Sequence, residues 1–76
     1  MGTKTNPGQY DCYAKAEPDE PLFVLLARDP LAPILVRLWA DLTTSRMPNG
    51  ATKSVEAVKC SIAMEAWRAK NRPEAA

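Results

Sequence analysis

Between residues 31 and 42, large apolar side chains recur at helical spacing. Leu31, Ile34, Leu35, Leu38, Trp39 and Leu42 share one side of a helical wheel, while Arg37, Asp41 and Thr44 face away. The pattern predicts an amphipathic helix over about residues 30–44. Its start is written in the same stretch: Asp29 can accept a hydrogen bond from an orphan backbone N–H, and Pro30 follows at the first helical position, where its missing N–H has no partner to lose. Pro33 disfavours helical geometry at Ala32, so regular helix is expected in full only from Pro33.

The preceding stretch, AEPDEPLFVLLARDPLAP, repeats that grammar. Asp19 can act as an N-cap, Glu20 favours the positive end of a helix dipole, and Pro21 falls in the first turn. A short helix over about residues 20–27 is therefore expected, with Arg28 near its carbonyl end. Leu22, Phe23, Val24, Leu25 and Leu26 cover its whole circumference, so it should be buried on most sides. The P-x-x-P spacings at 18–21 and 30–33 are discounted as ligands for aromatic grooves, because their flanks are apolar and should be buried.

Residues 43–54 read as a loop with its turn at Pro48, Asn49 and Gly50. A third helix follows over about 53–71, capped by Thr52 or Ser54 and ending before Pro73. It carries two apolar tracks: a stripe of Val55, Val58, Ile62, Ala66 and Ala69, suited to close helix packing, and a second patch of Cys60, Ala63, Met64 and Trp67. One core rarely needs both. Ahead of the helices, residues 10–16 alternate in a weakly strand-like way that also suits an extended strip clipped onto helices. The expected architecture is all-α: a small three-helix domain at residues 19–72, a flexible or extended arm at 1–18, and a disordered tail at 73–76.

Composition adds limits. A chain of 76 residues hides only about 60% of its unfolded surface on folding, so a partner is expected on size grounds. The formal charge of +1 argues against nucleic acid as the partner. Residues 1–30 hold three basic and five acidic side chains, and residues 31–76 hold seven and four. Cys12 and Cys60 stand far apart, with no signal peptide and no long apolar run for a membrane, so a cytosolic setting is expected.

Catalytic constellations are missing. The chain has no histidine, which removes catalytic triads, histidine bases and histidine metal sites. None of its three serines sits in a nucleophile context, and its three glycines build no phosphate-cradling loop. The chain reads as a non-enzyme with no cofactor or metal. What remains is a contact surface. Cys60, Met64 and Trp67, with Arg68 and Lys70 beside them, are the candidate partner-binding residues, since aromatic, Met and Arg side chains are enriched in contact cores. The excess apolar helix surface also leaves a homodimer open. A nucleic-acid reading would use Lys53, Lys59, Arg68, Lys70 and Arg72 with Trp67 as a stacking platform, but Glu56 and Glu65 interrupt that helix.

The run Y-D-C-Y, P-D-E-P, F-V-L-L and R-D-P within residues 10–42, followed by a Trp-containing helix, resembles a group of small bacterial and phage accessory proteins. The similarity covers under half of the chain and brings no activity with it. It implies a bacterial or phage origin and residence in the cytoplasm of a bacterial host. Small accessory proteins of that kind frequently act by binding a host or phage protein, some as anti-CRISPR-type inhibitors, and that is the functional expectation.

Overall fold

The computed structural model describes residues 1–46 and 51–72. The protein is all-α: α1 is a single turn at Cys12–Lys15, α2 spans Ala32–Arg46 and α3 spans Ala51–Asn71, with no strand among the described residues. The two long helices pack against each other, and the first 31 residues are loops and turns apart from the α1 turn.

α2 starts two residues later than the Asp29–Pro30 signal suggests, and Asp29 still organises the start. Its carboxylate accepts from the Leu31 N–H at 2.9 Å, and its carbonyl accepts from the Ala32 N–H at 3.0 Å. Pro33 is tolerated because it lies in the first turn, where its absent N–H would have bonded nothing within the helix. At the other end, the Thr44 and Ser45 hydroxyls back-bond to the Ala40 and Asp41 carbonyls one turn earlier. α2 continues to Arg46, and α3 already begins at Ala51. Thr52 and Ser54 lie inside α3 and are not its caps. The expected turn at Pro48, Asn49 and Gly50 lies outside the described residues, as does the tail at 73–76.

The helix expected over 20–27 does not form; residues 20–26 are in neither helix nor strand. Asp19 consequently caps nothing. The local groups are used instead in a turn over 17–20, where the Glu17 N–H donates to the Glu20 carboxylate at 3.0 Å and the Glu20 N–H to the Glu17 carbonyl at 3.1 Å. Pro21 disfavours helical geometry at Glu20, and the Asp29 N–H donates to the Leu26 carbonyl at 2.9 Å to close a second turn. Eight residues between two turns cannot repay helix nucleation without a covering surface. None is present: Phe23 is 84% exposed, and Leu22, Val24 and Leu26 are also open.

The alternating stretch at 10–16 becomes α1 and not a strand. Asp11 is its N-cap, accepting from the Ala14 N–H at 3.2 Å. Upstream, the Thr3 hydroxyl accepts from the Asn6 N–H at 3.0 Å while the Thr3 N–H donates to the Asn6 carbonyl, making a turn. Gly8 has a φ of +78°, and a side chain there would collide with the Met1 carbonyl oxygen.

The buried faces are not the ones expected from hydrophobicity. On α2 the buried residues are Ala32, Pro33, Ala40 and Thr43; on α3 they are Ser54, Ala57, Ser61 and Arg68. The helices meet through alanine, serine and threonine, and no large side chain is fully buried among the described residues. The leucine-rich side of α2 faces outward, none of Leu31, Ile34, Leu35, Leu38, Trp39 and Leu42 being less than 41% exposed. On α3 the stripe predicted for close packing is likewise outside, with Val55, Ile62, Ala66 and Ala69 exposed. The physical reason is backbone distance. Small side chains let two helices approach closely, and the large ones must then sit on the flanks and outer faces.

Candidate interaction groove on the third helix

Cys60, Ala63, Met64 and Trp67 fall at i, i+3, i+4 and i+7 of α3 and so form one continuous face. They line a groove of about 460 Å³ whose opposite wall is residues 25–28 and whose end is residues 2–4. Cys60 and Met64 are half-buried and Trp67 is exposed. The three expected contact residues are thus brought together on one surface.

Arg68 is different. It is only 8% exposed and turns away from solvent, and its guanidinium donates to the Arg28 carbonyl at 2.8 Å. It serves as a tie: the bond fixes residues 25–28 beside α3 and so holds the groove's far wall in place. Expected as a contact residue, it is placed with its guanidinium largely buried, outside the groove lining. Lys70 is exposed, but it does not line the groove. Sequence reading missed the role of residues 25–28, because a helix was expected there and a non-helical segment ending in a turn supplies the wall.

The rim is basic. Lys4, Arg28 and Arg72 line the groove, and no carboxylate does among the described residues. The Arg72 guanidinium lies 5.3 Å from the Trp67 ring centre, close enough for a cation–π contact. Two turns before Cys60 on α3, the Lys53 ammonium sits 5.5 Å from the Tyr10 ring and 5.7 Å from the Trp39 ring. That lysine bridges the N-terminal segment to α2. Lys59 pairs with Glu56 at 3.5 Å one turn away. Of the five basic residues that a nucleic-acid reading would enlist, Arg68 is turned inward, and Lys53, Lys59 and Arg72 are each engaged by a neighbouring side chain.

Both cysteines are free thiols, and no group of three Cys, Asp or Glu side chains is placed to hold a metal among the described residues. Among the described residues, no helix is long and apolar enough to cross a membrane. The chain matches no protein-family model, no curated protein and no solved structure.

Proposed function

We propose that this is a non-catalytic accessory protein of phage or mobile-element origin that acts in the bacterial cytoplasm by binding a host protein, in its sharpest form an inhibitor of a defence complex such as CRISPR–Cas. The observation that carries the binding part is the convergence of Cys60, Met64 and Trp67 with residues 25–28 into one apolar groove under a basic rim. Methionine adapts to varied partner shapes, and a half-exposed tryptophan offers a large contact area at little entropic cost. The partner segment that fits is apolar with acidic neighbours, matching Lys4, Arg28 and Arg72. The phage setting rests on the motif resemblance in residues 10–42.

Two measurements test the two levels separately. Immobilised protein, presented to lysate of a bacterium carrying an active CRISPR–Cas system, should retain a specific protein that Met64→Glu and Trp67→Ala both lose; recovery of nothing groove-dependent counts against the binding reading. Expression of the chain in the same strain should raise phage plating efficiency. A groove-dependent partner without any effect on plating would keep the binding activity and discard the inhibitory form.

A further inference from the structure

The groove leaves most of the open apolar surface unexplained. The chain exposes 6179 Å², whereas a folded monomer of 8.3 kDa is expected to expose about 4,600 Å². The surplus, about 1,600 Å² of polar and apolar surface together, is shared between the open first 31 residues and the helices, and it exceeds the roughly 800 Å² that each partner gives to a standard interface. Much of the open apolar surface lies on α2, away from the groove.

Leu35, Leu38 and Leu42 follow one another on α2 at steps of three and four residues, with Leu31 four residues ahead in the turn that precedes the helix, and all four are exposed. Steps of that kind average 3.5 residues, the period of a coiled-coil seam. The residues that pack on α3, Ala32, Ala40 and Thr43, lie off this seam, so α2 can serve both neighbours at once. We propose that α2 pairs in parallel with α2 of a second copy of this chain, leucine seam to leucine seam, making a two-fold homodimer with α3 on the outside.

Several features select a second copy over an unrelated protein. A seam made of one residue type is complementary to itself, as an isologous interface requires. It holds no charge, so two copies meet without repulsion. The flanks also match. In a parallel pair, a residue just before one seam position faces the residue five further along on the partner helix. That rule sets Ile34 against a copy of Trp39, both exposed and apolar, and Asp41 against a copy of Arg46, both exposed and oppositely charged. An antiparallel pairing gives Asp41 no cation.

The test uses purified full-length chain and is independent of any groove partner. Light scattering after gel filtration should give twice the chain mass at about 200 µM, and Leu35→Glu with Leu38→Glu should return it to a single chain with its helical circular dichroism retained. A wild-type monomer at that concentration overturns the proposal, as does a dimer that survives the double substitution. Should the variant lose its helices, the wild type decides the matter: its thermal midpoint should rise by about 10 °C over a 100-fold increase in concentration, and a midpoint independent of concentration overturns the pairing. Orientation is read by charge reversal. Asp41→Arg should weaken the dimer about 3- to 10-fold, and adding Arg46→Asp should restore it; failure to restore refutes the parallel register.

Discussion

Arg68→Met removes the guanidinium that reaches the Arg28 carbonyl while keeping an unbranched apolar stem in the same space. A hydrogen bond to a charged group contributes about 1.5–3 kcal/mol. This one is part-buried, with donor and acceptor 40 residues apart in sequence, so about 2 kcal/mol is the expected loss. With an unfolding entropy of about 2.1 cal/mol/K per residue, a chain of this size changes its midpoint by about 12 °C for that loss. Circular dichroism melts at one fixed protein concentration measure it. Lys70→Met, at an exposed position two residues away, is the control and should shift the midpoint by less than about 3 °C. Arg68→Lys should fall between, because an ammonium keeps the charge but not the reach or the planar donor geometry. A midpoint for Arg68→Met within about 3 °C of wild type would refute the idea that this bond ties residues 25–28 to α3.

Three further substitutions probe the interior and the groove. The Ser54 hydroxyl is buried and has no hydrogen-bond partner among the described residues. Ser54→Ala should therefore raise stability by about 1 kcal/mol, and a fall in the melting midpoint would contradict the assignment. Ala57 is fully buried at the α2–α3 contact, so Ala57→Leu should cost about 1–3 kcal/mol by forcing the helices apart, read as a lower urea midpoint at unchanged slope. Cys12 is exposed and Cys60 half-buried in the groove. Thiol labelling followed by peptide mapping should modify Cys12 first, and a groove partner should slow labelling of Cys60 alone.

The positions of the two long helices were legible because their signals are local. Asp29, Pro30 and Pro33 mark one start, and the helical apolar spacing over 53–71 ahead of Pro73 marks the other helix, although its first residues, Ala51 and Thr52, read as loop. The 20–27 segment misled for a reason that is also physical. Its capping residues are correct for a helix, but capping supplies about 1 kcal/mol, and an eight-residue helix without a covering surface has nothing further to draw on. Glu20 reaches back to Glu17 because no helix competes for it. In the groove, Cys60, Met64 and Trp67 could be grouped from their spacing alone, whereas the inward turn of Arg68 could not. That turn depends on an acceptor at Arg28, a position where sequence reading expected the end of a helix.

The choice of buried face shows why hydrophobicity alone picked the wrong side. Ser54, Ala57 and Ser61 on α3 step by three and four residues, and Ala32, Ala40 and Thr43 on α2 supply equally small partners. A matched pair of small-residue stripes is a packing signal, but serine and threonine interrupt an apolar pattern and so hide it from a reading by polarity. Once the two helices approach through these stripes, the leucines of α2 and the groove face of α3 cannot both be covered by a chain of 76 residues. Burying an alanine stabilises by only about one methyl group's worth, roughly 0.8 kcal/mol, where a leucine contributes about 1.5–3. A fold that spends its internal contact on alanines leaves its strongest apolar contributions for intermolecular surfaces. The same residues that make the isolated chain weakly cored are therefore the ones that give it something to bind with.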